Sequence, residues 1–333
     1  MGVLTRLVRV VRKILNTFNN SRHRHISSGE NAVILYVGAT GHLGSAAVRE
    51  LAKRDKQVRC LVRRSSDVTG LETTGAEIVR GDLQNQASVR QALEVVDTVI
   101  SSFATNIAKE RSVAALWAND YEGNLALIRL SREAGARKFI FVSYWGLAKF
   151  GDFEHGKIKK MVEDLLTVSG LDYTVFRVTT LATDMSELLG NTLRRKGRVP
   201  LLMKPNEKIR PILLEDLAWC MADAIDNPKA SRRIIEVAGE EEYDFRSFEQ
   251  LFCQALGKKV RFIFVPLSLA SLVAACIDFA TGNRYNAKGI LSAFTGGSNC
   301  DITDMKSVFE LRQGSFAQYL KDFFKDARVQ ERG

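Results

Sequence analysis

The chain has 333 residues, of which 46% are apolar and 26% charged, and 48 Lys and Arg against 38 Asp and Glu give a formal charge of +10. That usage belongs to a globular chain and excludes disordered, collagen-like and coiled-coil architectures. Arg6, Arg9, Arg12, Lys13, Arg22 and Arg24 fall within residues 1–29, which hold no acid; subtracting that +6 leaves +4 over the other 304 residues. So mild a charge on the body of the chain argues against nucleic acid as a partner. Cys60, Cys220, Cys253, Cys276 and Cys300 are scattered without a CxxC, and His23, His25, His42 and His155 form no HExxH. Neither a disulfide framework nor a metal site is expected, and reduced thiols fit a reducing compartment.

Residues 1–29 form a basic amphipathic extension. Leu4, Leu7, Val8, Val11, Leu15 and Phe18 recur at three- and four-residue steps, one face of a helix. The segment resembles a mitochondrial transit peptide, and it equally suits a helix on an anionic membrane surface or a solvated or partner-bound helix. The location expected is therefore cytoplasmic or mitochondrial, with peripheral membrane contact as one reading. No apolar h-region suits a secretory signal, and Arg6 breaks the myristoylation pattern that Gly2 would open.

From residue 30 onward strands and helices alternate. The apolar run 32–37 predicts a buried parallel strand, followed by a glycine turn and a helix over 43–54. Further strands are predicted at 58–62, 76–79, 98–101, 139–143 and 173–177, with helices over 117–134 and 157–168, the latter stopping at Gly170. This is a doubly wound parallel α/β sheet, a Rossmann fold. Core residues 30–182 then give way to a smaller C-terminal lobe, 183–333, that holds all five prolines. A strand over 233–239 returns to the sheet, so the lobe is interwoven with the core. A short helix is read over 316–325. Residues 262–277 carry 16 residues without a charge. They include Pro266 and fall short of the ~20 residues of a spanning helix. A buried helix or pocket wall is the first reading, and membrane docking through 1–20 and 262–277 is the second.

Gly38, Thr40, Gly41, His42, Leu43 and Gly44 lie in a G-x-x-G-x-x-G turn between the first strand and first helix. Glycines there let the backbone turn tightly against a pyrophosphate, which rests on the helix N-terminus. An NAD enzyme usually carries an acid at the end of the second strand, about 20 residues on. Here the chain reads Leu61-Val62-Arg63-Arg64-Ser65-Ser66. Arg63 and Arg64 suit a 2′-phosphate, which favours NADP(H) over NAD(H). Asp82 and Leu83 are placed to border the adenine, although Asp82 equally suits a helix cap. Phe103 should run beside the ribose and pyrophosphate.

Several segments resemble the atypical short-chain dehydrogenase/reductases, in their NmrA-like and isoflavone-reductase-like branch. They are VGATGHLG at 37–44, CLVRR at 60–64, RGDLQNQASV at 80–89, AGARKFIFVS at 134–143 and KKMVEDLLTVSGLDYTVFRV at 159–178. Further matches are ILLEDLAWCMADAI at 212–225 and the stretch from 234 to 262. The resemblance implies an NAD(P)-binding oxidoreductase acting on a small molecule by hydride transfer to a carbonyl, quinone or conjugated double bond. The group also holds NADP-sensing regulators and respiratory-complex subunits, so it equally implies a catalytically weak NADP(H)-binding regulator or assembly protein at a membrane or respiratory complex. Typical members carry Ser, then Tyr-x-x-x-Lys. Ser143 matches the serine, Lys159 the lysine that also holds the nicotinamide ribose, and His155 then stands where the tyrosine would be. Histidine can act as acid or base, its unperturbed pKa being ~6.5, or His155 is a loop residue. Tyr144 is an alternative donor, and Lys157 and Lys160 compete with Lys159. The sixth strand normally ends Arg-Pro; here Val178 follows Arg177 and should line the nicotinamide end. Substrate and oligomeric state are left open.

Overall fold

The computed structural model describes residues 32–106, 112–147, 153–201, 207–282, 287–288, 291, 300–311 and 314–330. The basic extension lies outside them. In chain order the first half runs β1 (Val33–Val37), α1 (His42–Ala52), β2 (Val58–Val62), β3 (Glu77–Arg80), α2 (Gln86–Ala92) and β4 (Val96–Ser101). It continues through α3 (Gly123–Ala134), β5 (Lys138–Tyr144), α4 (Glu154–Val168) and β6 (Asp172–Val178). The second half adds β7 (Arg198–Leu201), α5 (Leu214–Asp223), β8 (Arg233–Val237), α6 (Phe245–Leu256), β9 (Arg261–Phe264), α7 (Leu267–Ala280) and α8 (Phe316–Gln330).

Seven strands form one sheet in the order β3-β2-β1-β4-β5-β6-β8, and every pairing in it is parallel. The apolar strand runs follow from this, because helices cover both faces of a parallel sheet. Residues of α1 pack on one face with Leu217, Ala218, Cys220 and Met221 of α5 and with Ile235 and Val237 of β8. Residues of α2, α3 and α4 cover the other, around Leu35, Val99, Phe139 and Phe141. Strand β4 begins two residues before its apolar run. Asp97 hides there, buried, its carboxylate 3.0 Å from Arg137 Nη2.

The helix expected over 117–134 is interrupted. Trp117–Glu122 forms a π-helical segment, preceded by a short turn at Val113–Leu116 and continued by α3. Such wide turns recur at functional sites, and this one re-aims the side chains of residues 117–122.

A separate apolar cluster holds the lobe together. Phe248 stacks on Phe316 at 5.4 Å, and Phe252 meets Phe324 edge-on at 6.0 Å. All four rings are fully buried. Strand β9 pairs in parallel with β7 beside them. The reading of 262–277 as a buried helix is corrected here: within α7 only Ala274 and Asp278 are buried. The run is apolar and faces outward. Asp278 is retained because its two carboxylate oxygens accept the backbone N–H groups of Ala287 and Lys288. Among the described residues, no helix is long and apolar enough to cross a membrane.

Candidate functional site

The carboxyl ends of β1, β2, β3 and β4 open into one cleft. Its wall includes Gly38, Thr40, Arg63, Ser66, Asp82, Leu83, Gln84, Phe103 and Asn119. The turn after β1 is tight enough to dictate glycine. Gly38 holds φ at +94°, and a Cβ there would lie 2.8 Å from the Phe103 nitrogen. At Gly44, a Cβ would lie 2.1 Å from the Gly38 carbonyl oxygen. Helix α1 starts at Gly41 without a side-chain cap and without an acid in its first turn. Its N-terminal amides and the positive end of its dipole are left for an anion.

Arg80, at the end of β3, organises the opposite wall. Its Nη1 donates to the carbonyls of Arg63 (3.0 Å), Arg64 (3.4 Å) and Ser66 (2.8 Å). A three-carbonyl clamp fixes the loop that presents Arg63 and Ser66 to the cleft. Arg64 is exposed and does not line it. Asp82 is not the helix cap that its position allowed: Asn85 caps α2 through the amides of Ala87 and Ser88. Asp82 accepts from the Gln84 amide at 2.9 Å and borders the cleft with Leu83. Gln84 Nε2 donates to Asn119 Oδ1, which ties this wall to the π segment.

Beyond Phe103 and Asn119 lies a buried polar cluster. Lys159 on α4 is 3% exposed, and its Nζ donates to the carbonyls of Val142 (2.9 Å) and Phe103 (3.1 Å). Burial lowers its pKa to about 8, although the charges of Asp120 and Glu163 oppose that fall. Lys157 and Lys160 turn outward, Lys157 to Glu154 at 2.8 Å and Lys160 to Asp164. Helix geometry thus separates three neighbouring lysines that composition could not.

Asp120, which sequence reasoning missed, comes from the π segment and is 1% exposed. Its Oδ1 accepts from the Thr105 amide at 2.9 Å. Its Oδ2 faces His155 Nε2 at 3.6 Å, within ion-pair reach but beyond a hydrogen bond. Burial pushes the Asp120 carboxyl up, but the His155 contact and the charges of His155 and Lys159 outweigh it and hold the pKa below the usual value. On the other side of the imidazole, the Tyr144 hydroxyl lies 3.4 Å from His155 Nδ1. Burial raises the Tyr144 phenol, and the charges of Asp120 and Asp184 add to the rise, so the phenol keeps its proton at neutral pH. His155 is therefore no loop residue: it is buried on the first turn of α4 between Tyr144 and Asp120. Ser143 Oγ is also buried, without a hydrogen-bond partner among the described residues. Its position at the end of β5 puts it one residue from Tyr144.

The side chains of three expected cofactor residues do not line the cleft. The His42 side chain is exposed, 3.7 Å from Glu187 of the lobe, because the first helical residue points away from the turn it follows. Leu43 is packed in the core of the sheet face. Val178 is likewise core, with its carbonyl taken by the Trp145 amide at 2.9 Å. Among the described residues, no group of three or more His, Cys, Asp or Glu could hold a metal.

A family model described as NAD(P)H-binding matches residues 38–228. The chain is 27% identical over 306 residues to the photosystem II assembly factor Ycf39 of Synechocystis sp., covering 87% of this chain and 90% of that one. It is 25% identical over 264 residues to the chloroplastic divinyl chlorophyllide a 8-vinyl-reductase of Cucumis sativus, covering 74% and 62%. Among solved structures, the NADPH-dependent quinone oxidoreductase QOR2 of Escherichia coli, complexed with NADPH, is similar with a TM-score of 0.68. That match has 16% identity and covers 87% of this chain and 99% of that one; at such identity the likeness is one of fold.

Proposed function

The chain belongs to the NAD(P)H-binding family, and we propose that it is an atypical short-chain dehydrogenase/reductase of the NmrA-like type, an NADPH-dependent reductase of a carbonyl, quinone or conjugated double bond. The residues of the cleft fit the cofactor. Gly38, Gly41 and Gly44 leave the backbone room that a pyrophosphate needs beside Thr40 and the uncapped start of α1. Arg63 and Ser66 would take the 2′-phosphate, Asp82 and Leu83 the adenine side, and Lys159 the ribose nearest the nicotinamide. NADPH, when bound, supplies the hydride, which is the cofactor's own chemistry.

The observation that carries the reading is the buried line Tyr144–His155–Asp120 beside Lys159, whose Nζ donates to the carbonyl of Phe103 in the cleft wall. Tyr144 holds its proton until a developing anion on the substrate draws it. His155 then returns a proton from Nδ1 to the phenolate oxygen. Asp120 Oδ2 sets a negative charge 3.6 Å from Nε2 on the far side of the ring, and Lys159 supplies positive charge beside the ring of Tyr144, its Nζ 5.7 Å from the ring centre. The histidine that replaces the family tyrosine thus serves as the proton reserve, and the hydroxyl comes from Tyr144 instead.

The test is NADPH binding by calorimetry, followed by cofactor oxidation with quinones, enones and aldehydes. One acceptor class should turn over, and Tyr144→Phe should slow it by about 10²–10⁴-fold with NADPH affinity kept. Tight binding without oxidation by any acceptor overturns the reductase. That outcome leaves a second reading, which the likeness to an assembly factor over 90% of its length favours: an NADP(H)-holding factor with protein partners in a membrane complex, cytoplasmic or mitochondrial.

A further inference from the structure

Ten large apolar side chains are exposed among the described residues, and seven of them fall between Ile263 and Phe279. Leu272 is 61% exposed and Phe279 92%. At 100° per residue, the exposed Leu269, Leu272, Val273, Ile277 and Phe279 cover roughly 160° of the α7 circumference. The helix rests on the protein through its narrow opposite side, at Ala274 and Asp278. It is a ridge and not the wall of a groove.

The ridge has a cationic border. Strands β7 and β9 pair so that Arg198 lies beside Arg261 and Pro200 beside Ile263. All four are exposed, while Val199, Leu201 and Phe262 of the same strands point into the lobe. The outer face of this two-stranded sheet therefore runs from arginine at one end to apolar side chains at the other, where it meets α7. Arg195, Lys196, Lys258 and Lys259 are exposed at the arginine end. The Arg261 amide donates to the Gly197 carbonyl at 2.9 Å, which fixes the two segments together. No acid occurs from 188 to 206 or from 250 to 277.

We propose that this face docks on an anionic phospholipid bilayer, with α7 lying in the plane of the headgroups and the cations of β7 and β9 around it on the lipid phosphates. The charge pattern argues for lipid over protein. A protein interface carries a rim of mixed polar groups around its apolar centre; here the exposed charges on β7, β9 and the residues just before them are cations, with Glu249 turned to the Phe262 amide at 2.6 Å, the complement of a negative surface. The length agrees. Fourteen residues of α7 give about 21 Å at 1.5 Å per residue, too short to cross a hydrocarbon core of about 30 Å but enough to lie in an interface.

Cys276, exposed on α7, supplies the reporter, since Cys60, Cys220 and Cys300 are buried. The full chain with Cys253→Ser is labelled at Cys276 with a polarity-sensitive fluorophore and mixed with phosphatidylcholine vesicles, with and without phosphatidylglycerol. The emission should shift to the blue only with the anionic vesicles, be quenched by brominated acyl chains, and reverse at high salt. Lys259→Glu/Arg261→Glu should weaken binding by at least about 25-fold, two cations at about fivefold each. Leu272→Glu/Phe279→Glu should abolish the blue shift, with NADPH affinity reporting the fold of both variants. Three results would overturn the proposal: an unshifted label on bound protein, which would place attachment in residues 1–29; a shift that follows protein concentration without vesicles, which would make a second copy the occupant; or equal binding by the wild type and both variants.

Discussion

Replacing Asp120 with Asn keeps the shape of the side chain and its acceptor for the Thr105 amide, and removes only the charge. Lys159 then loses one of the two carboxylate charges that favour its protonated form, Glu163 remaining, in a site where burial already lowers its pKa to about 8. Removing a charge that compensates a buried one costs up to about 3–5 kcal/mol when the other must stay charged. Lys159 has an escape, because it can release its proton. In the wild type the lysine is protonated in both folded and unfolded states below pH 8, so this group gives no slope there; between about 8 and the unfolded value near 10.4 the folded state gains stability as pH rises. In the variant that release begins lower. The loss of stability is therefore capped at about 1.4 kcal/mol for each unit that pH lies below 8. It should be close to zero at pH 9, about 1.4 kcal/mol at pH 7 and up to about 2.7 kcal/mol at pH 6. Asp120 is held low, so its own titration does not enter this range. Urea denaturation of both proteins at the three pH values measures the difference, and the part of it that Lys159 carries should vanish when Asp120→Asn is made in a Lys159→Met background. An equal loss at pH 6 and pH 9 would refute the coupling.

Two further outcomes concern the cleft. Arg63→Ala should weaken NADPH by about 10- to 150-fold, the worth of one charge-assisted hydrogen bond of about 1.5–3 kcal/mol, and leave NADH unchanged; Arg64→Ala should change neither, because Arg64 lies off the cleft. Equal effects of the two variants on NADPH would remove the 2′-phosphate assignment. Gly44→Ala forces a Cβ against the Gly38 carbonyl and the Ala39 Cα, both backbone. It should cost about 1–3 kcal/mol and erase the thermal shift that NADPH induces, as read by melting with and without cofactor; an intact shift would mean that the turn does not hold the pyrophosphate.

The parts of the fold that sequence reading reached have a common cause. A strand buried on both faces must be apolar throughout, and the glycine turn is dictated by the 2–3 Å at which an added Cβ would meet neighbouring backbone atoms, so both leave local signatures. The return of the chain at 233–239 was legible for the same reason. What escaped depends on tertiary packing. Asp120 reads as a solvated helix position until the π segment turns it inward. Arg80 looks like any charged residue at a strand end, and only the loop brings three carbonyls to it. The lysines at 157, 159 and 160 share one composition, and the face of α4 that packs inward decides among them. At 262–277 apolarity was plain, but apolarity alone does not say which way a helix faces.

The edge strand β8 has a consequence for how the chain is made. A ribosome that has released residues up to 182 has emitted the glycine turn, the cleft and the Tyr144–His155–Lys159 line, yet β6 is then the rim of a six-stranded sheet with open N–H and C=O groups. One side of α1 is also bare until α5 and residues 300–309 arrive to cover that face. About half of the polypeptide must follow before the nucleotide half is closed. Cofactor capture is thereby set late in synthesis, and a message truncated near the middle yields a sticky, unfinished sheet in place of a smaller working domain.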